Sequence, residues 1–142
     1  MQMSLFVLAV VPFHPDERPA RYLVVQERDG TFYLPAGRVE PGENLIAAIV
    51  RETIEEAQQL VGVLGLLGFD HEPGRMRFVW DCYRAVASAP KSVADRHSRG
   101  AAYPTRGDMR GVRVRRCGVV KLLEPFKSGR ALLPTASYAP RP

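Results

Sequence analysis

Three glutamates and an arginine fall within six residues of this chain: Arg51, Glu52, Glu55 and Glu56. On a helix, Glu52 with Glu55 is an i,i+3 pair and Glu52 with Glu56 an i,i+4 pair, so the three carboxylates share one face. Like charges at that spacing repel, and a cluster this dense implies a cation among them. Ligands that are all oxygen favour a hard ion, Mg²⁺ or Mn²⁺, over zinc. Such ions usually hold substrate phosphates as well as protein carboxylates. The chemistry these residues imply is therefore metal-assisted reaction at phosphorus.

Upstream stand Gly37 and Glu43, with the turns Leu34-Pro35-Ala36-Gly37 and Pro41-Gly42 around them. The whole segment resembles the signature of the Nudix hydrolases, Gly-x5-Glu-x7-Arg-Glu-U-x-Glu-Glu-x-Gly-U, where U is a bulky apolar residue. Gly37, Glu43, Arg51, Glu52, Glu55 and Glu56 match it in identity and spacing. Three positions depart: Thr53 stands at a U position, Gln58 replaces the second glycine, and Gln59 fills the last U. That glycine normally supplies the left-handed residue that ends a helix, so with Gln58 the helix is expected to run further, towards Gly62. None of the departures removes a carboxylate. The bland alternative is a solvated helix face, since Ile46, Val50, Thr53, Ile54 and Ala57 form one stripe with the glutamates roughly opposite. It leaves the two turns and the Arg51-Glu52 pair unexplained.

The resemblance implies a metal site of Glu52, Glu55 and Glu56, with the Gly37 carbonyl as a further oxygen, holding one or more Mg²⁺ (or Mn²⁺) ions. Water would attack phosphorus in a nucleoside diphosphate linked to another group X, and Glu52 is the first candidate for the base. Arg51 is expected to pair with Glu43 or Glu52 and fix its rotamer rather than touch phosphate. The residues from Ala94 to Tyr103 also resemble a loop of some nucleotide-cleaning members, in which a glutamate falls where His97 stands and a tryptophan where Tyr103 stands. His97 would be a poorer Mg²⁺ ligand, and Asp81, Asp95 and Glu72 are substitutes to test. A nucleobase needs an aromatic platform, for which Tyr103, Phe78, Trp80 and Tyr83 are candidates, at least half of them ordinary core. Tyr103, Phe78 and His97 are thus the candidate substrate contacts, against the plain reading of His97 as a solvated loop residue.

The elements that must position these groups fit one domain over residues 1–142, with an ordinary apolar fraction of 46%. Residues 4–11 and 21–26 read as strands, 31–34 as a short strand entering the glycine turn, and 43–57 as the helix. Residues 61–69 read as a glycine-bent strand, 76–86 as the long strand of a hairpin, and 101–103 as a short strand. Residues 87–100 form a polar loop expected to be a mobile flap. A further helix is expected near 119–128, with an extended tail from 134 to 142. The fold class is α/β, and the resemblance implies a Nudix-type α/β/α sandwich with a mixed sheet and a central catalytic helix.

The apolar run 5–11 has no basic n-region before it and prolines soon after, so it reads as a buried strand rather than a leader. No segment has the length needed to span a bilayer. Cys82 and Cys117 form neither a ligand cluster nor a disulfide framework, which fits a reducing, cytoplasmic setting. The net charge of +5 is uneven: residues 1–90 carry 8 basic and 12 acidic residues, net −4, whereas residues 91–130 carry 11 and 3, net +8. A basic segment suits an anionic substrate. A nucleic-acid surface ranks lower, because Arg113, Arg115 and Arg116 are not interleaved with aromatics. A homodimer is left open.

Together these features lead to a Mg²⁺-dependent hydrolase of a small nucleotide, with a nucleoside di- or triphosphate, oxidised or not, ranked first. The run Tyr33-Leu34-Pro35-Ala36-Gly37 and the later Arg77-Phe78-Val79 resemble the subgroup acting on 8-oxo-guanine nucleotides. An ADP-ribose or nucleotide-sugar pyrophosphatase ranks second, on Pro73 and the shared Leu34-Pro35-Ala36-Gly37. A non-catalytic nucleotide- or RNA-binding module ranks third, since such modules usually lose carboxylates that this chain keeps.

Overall fold

The computed structural model describes residues 2–115 and the strand pair 133–134. The helix expected near 119–128, most of the expected tail, and Cys117 lie outside the described residues.

Strand β1 (Ser4–Val10) reads SLFVLAV, the unbroken apolar run of a strand covered on both faces. Val7 and Ala9 pack into one core, and Leu8 and Val10 into a second on the opposite face. β1 is flanked by β4 (Ala36–Arg38), antiparallel, and by β6 (Arg75–Arg84), parallel. β6 turns back at Pro73-Gly74 onto β5 (Val61–Glu72), and β5 pairs through Gly65 and Leu66 with β8 (Leu133–Pro134). The result is a mixed sheet in the order β4-β1-β6-β5-β8. Two bulges in β5, between Val63 and Gly65 and between Leu66 and Gly68, absorb its glycines and let the strand run to Glu72, past the expected residue 69. A second, antiparallel sheet, β3-β2-β7, is built from β2 (Val24–Gln26), β3 (Phe32–Tyr33) and β7 (Gly100–Ala102).

Helix α1 (Leu45–Ala57) starts after Asn44, whose side chain accepts from the Ala47 amide at 2.7 Å and caps the first turn. It starts two residues later than expected because that cap precedes it. Its end also differs from expectation. Gln58 itself takes the left-handed conformation (φ 53°, ψ 39°), and the amides of Gln58 and Gln59 return to Ile54 and Thr53. The stop therefore forms without glycine, and the helix does not run towards Gly62.

The buried face of α1 is not the stripe drawn from apolar residues alone. Ala48, Ile49, Glu52, Thr53 and Ala57 are buried, whereas Ile54 is 46% exposed. Thr53 satisfies its buried hydroxyl on the Ile49 and Val50 carbonyls, so this departure from the motif costs the helix nothing in unpaired groups. The sequence reading held the glutamates to be opposite the core. Glu52 instead turns inward, where Gly37 of β4 leaves room for its carboxyl and Arg51 donates to it. Among the described residues, no helix is long and apolar enough to cross a membrane.

Candidate active site

The segment Leu34-Pro35-Ala36-Gly37 leads into β4, a strand that sequence reading took only for a turn. β4 brings two backbone positions against α1. A Cβ on Gly37 would stand 2.0 Å from the Glu52 carboxyl carbon, so only glycine admits that carboxylate at this depth. One residue earlier, the Ala36 amide donates to Glu56 Oε1 at 2.8 Å. Glu52 is 9% exposed and Glu56 half-buried.

Arg51 gathers the remaining carboxylates. Its Nε and Nη2 donate to the two oxygens of Glu43 at 2.7 and 2.9 Å, a bidentate pair. Its Nη1 donates to Glu52 Oε1 at 2.8 Å and to Glu55 Oε2 at 3.2 Å, and Nη2 to the Arg38 carbonyl at 3.0 Å. Sequence reading expected Glu43 or Glu52 as the partner of Arg51; both are, and Glu55 joins them. The hydrogen bond to Arg51 holds the Glu43 carboxyl below its ordinary range.

Burial acts the other way on the two inward glutamates. It raises the Glu52 carboxyl against the opposing hydrogen bond from Arg51. It pushes Glu56 up to about 8, helped by the charges of Glu52, Glu27 and Glu55 and opposed by the Ala36 amide. These groups open on a cavity of about 910 Å³, which Arg38, Arg96 and His97 also line.

The oxygen-only donor set fits a hard divalent ion. Among the described residues no three histidine, cysteine or acidic side chains converge closely enough to cage an ion, and Arg51 Nη1 bridges Glu52 and Glu55. Mg²⁺ needs no such cage: it keeps several waters and binds one or two carboxylates together with substrate phosphates. The residues therefore fit a weak, water-rich site that a phosphate completes.

The other candidates divide sharply. His97 lies at the cavity, its Nδ1 3.7 Å from Glu55 Oε2 and its Nε2 accepting from Arg96 Nε at 3.2 Å. Tyr103 does not reach it. Its ring stacks edge-on against Phe13 at 5.2 Å, its hydroxyl donates to Gln59 Oε1 at 2.6 Å, and it is 8% exposed. Phe78 packs against the core beside Phe69, and Trp80 is fully buried. Neither Tyr103 nor Phe78 lines the carboxylate cavity: Tyr103, just past β7, is buried in the core, and Phe78, on β6, packs against it. Tyr83 is surface-exposed and packs over Gly62. Asp95 pairs with Lys91, and Glu72 with Arg75 at the far hairpin. Asp81, half-buried on β6, is raised by desolvation. Buried Cys82 is likewise raised by desolvation, an inert thiol.

Sequence reading missed Arg38, Arg96, Lys91, Ser98 and Gln59. Arg38 was available to it, because it follows Gly37 directly. Gln59 had a signal in standing where the motif has a bulky apolar residue, and Arg96 and Lys91 only the general one of a basic segment; Ser98 carried none, since serine in a polar stretch reads as solvated. Residues 87–100 are in fact bonded to the end of α1 through fully buried Lys91 and Ser98, not detached as a flap.

Residues 5–104 match the NUDIX domain family. The mouse protein named 8-oxo-dGDP phosphatase NUDT18 is 42% identical over 79 residues, and its human counterpart 40% over 79 residues. Each alignment takes in 52% of this chain but 23% of the relative, so the chain spans only a fraction of the length of these proteins. Among solved structures, a NUDIX hydrolase from Nitrosomonas europaea superposes with a TM-score of 0.77 at 25% identity, covering 99% of this chain and 98% of that one. The family match takes in β1 from Leu5 onward, β4 and α1 with every carboxylate just described, and the chain belongs to the Nudix family.

Proposed function

We propose that the chain is a Mg²⁺- or Mn²⁺-dependent hydrolase of a nucleoside diphosphate linked to X. A nucleoside di- or triphosphate with an oxidised base is the first substrate class to test. The observation that carries this reading is the burial of Glu52 under Gly37 and of Glu56 under the Ala36 amide, at the wall of a cavity that also presents Arg38 and Arg96. Burying a carboxylate costs free energy even when it is hydrogen-bonded, and a chain that does it twice at one cavity, with Arg51 and the Ala36 amide as partners, has use for the two groups there. The similarity to the two NUDT18 proteins supports the oxidised-guanine class.

In this reading Glu52, Glu55 and Glu56, with the Gly37 carbonyl, would hold the ion. The ion would supply Lewis acidity toward the phosphate oxygens. Glu52 takes the proton of the attacking water, and Arg51 with Glu43 orients the cluster. Arg38 and Arg96 meet the phosphate charge from the opposite sign.

The test is chromatographic product analysis of the purified protein with Mg²⁺, with and without EDTA. The panel holds normal and 8-oxo nucleoside di- and triphosphates, ADP-ribose, a nucleotide sugar, a dinucleoside polyphosphate and capped RNA. EDTA-sensitive release of phosphate or pyrophosphate from an 8-oxo nucleotide supports the proposal. AMP and a sugar phosphate from ADP-ribose would move the substrate to the second class. Affinity without turnover, falling steeply with salt, would replace the enzyme by a binding module.

A further inference from the structure

The last carbonyls of a helix have no partner within it, and helix ends fray. Glu55 and Glu56 lie in the last turn of α1, where a fraying end would blur a site that needs sub-ångström placement. In this chain each of the last five carbonyls is taken. The Gln59 amide donates to Thr53 O at 3.3 Å and the Gln58 amide to Ile54 O at 3.0 Å. Lys91 Nζ donates to Glu55 O at 3.1 Å, Ser98 Oγ to Glu56 O at 2.7 Å, and the Lys91 amide to Ala57 O at 2.9 Å.

Those last three bonds come from one loop, residues 91–98. Lys91 is 1% exposed and Ser98 0%, a depth at which lysine is rarely found unless paired. Two features offset the loss of water. The helix C-terminus carries partial negative charge and favours a cation, and Nζ also contacts the Asp95 carboxylate. Asp95 in turn accepts from the amides of His97 at 2.8 Å and Ser98 at 3.3 Å, so the loop is braced internally. Between the two anchors stand Arg96 and His97, which line the cavity. The atoms that Lys91 and Ser98 grip are the backbone carbonyls of the site glutamates themselves.

We propose that Lys91 and Ser98 are positioning residues for the carboxylate cluster: they bolt the loop 91–98 to the backbone of Glu55 and Glu56, fix the last helical turn, and set Arg96 and His97 across the cavity. This rests on the reading of the cavity as a hydrolytic, ion-binding site.

The experiment compares Ser98→Ala and Lys91→Met with the wild type, well below the unfolding temperature and with folding checked by circular dichroism. Two quantities are read: Mn²⁺ affinity in the absence of substrate, from loss of the free-ion electron paramagnetic resonance signal, and kcat and KM separately. A displacement of about 1 Å at a reacting centre costs up to roughly 100-fold in rate. The expected result is therefore a fall in kcat of about ten-fold or more together with weaker Mn²⁺ binding, and a rise in KM smaller than the fall in kcat. Should Lys91→Met fail to fold, Ser98→Ala decides alone. A folded Ser98→Ala protein with wild-type kcat and Mn²⁺ affinity, and only a lower Tm, would make the loop an ordinary helix cap and overturn the proposal. A wild type that neither binds Mn²⁺ nor hydrolyses any nucleotide would overturn the reading of the site, and the positioning role with it; the wild-type measurement alone tells the two failures apart.

Discussion

The Glu52 carboxylate occupies the space that a side chain on Gly37 would need: a Cβ there would lie 2.0 Å from the carboxyl carbon and 2.1 Å from Oε1. The obstacle is the end of a flexible side chain rather than backbone, and Gly37 sits in a strand that alanine can adopt. Gly37→Ala should therefore fold with a modest change in Tm while Glu52 is driven out of place. Turnover should fall by up to about 100-fold. Steady-state kinetics with circular dichroism on the same sample checks this, and an active Gly37→Ala enzyme would separate Glu52 from the chemistry.

Tyr103 and Gln59 tie together the chain just past α1, the 88–89 segment and the chain just past β7. The tyrosine hydroxyl donates to Gln59 Oε1, and Gln59 Nε2 donates to the carbonyls of Gln58, Ser88 and Ala89. Tyr103→Phe leaves a buried amide oxygen without its donor, which costs about 1–3 kcal/mol. In thermal unfolding that is a drop of several degrees, since 1 kcal/mol is worth roughly 2–8 °C in domains of this size range. KM for a nucleotide should not move. A raised KM at unchanged Tm would return Tyr103 to the substrate.

Asp95 supplies a pH-dependent contribution. Its hydrogen bond from Lys91, then that from the His97 amide, lowers its pKa to about 2 from the ordinary 3.8. A carboxyl depressed in the folded state adds stability above its unfolded pKa and loses it as pH falls through the folded one. The stability difference between wild type and Asp95→Asn should therefore be full above about pH 4 and fade toward pH 2. Urea unfolding at a series of pH values measures it; a difference that does not shrink in acid would mean that Asp95 acts other than by its charge.

How much of this could be read from the residues alone differs from element to element. The Gly37-to-Glu56 spacing located the helix, the turn before it and the Arg51–Glu43 pair, because those relations depend on short-range geometry. The inward turn of Glu52 was not legible. Amphipathic periodicity scores a carboxylate as solvent-facing, and what makes it otherwise is the β4 backbone, which arrives through pairing with β1. The same limit hid Lys91 and Ser98. A polar loop reads as mobile until the unsatisfied carbonyls of a helix end are seen to face it. Tyr103 and Phe78 were ambiguous for a different reason, since a period of two assigns residues to faces without saying which face is the core. The stop at Gln58 shows how far tertiary bonds can compensate: a non-glycine residue takes the left-handed position while Gln59 and Lys91 hold the chain around it.

The most direct measurement is turnover of a cleaved nucleotide by the wild type and by Glu52→Gln, each with Mg²⁺ and with EDTA, with folding verified by circular dichroism. Glu52→Gln keeps the shape under Gly37 and removes the charge. The account predicts EDTA-sensitive hydrolysis by the wild type and a loss of about 100-fold or more in Glu52→Gln, the scale at which general-base groups contribute. A folded Glu52→Gln protein that hydrolyses at the wild-type rate would contradict it.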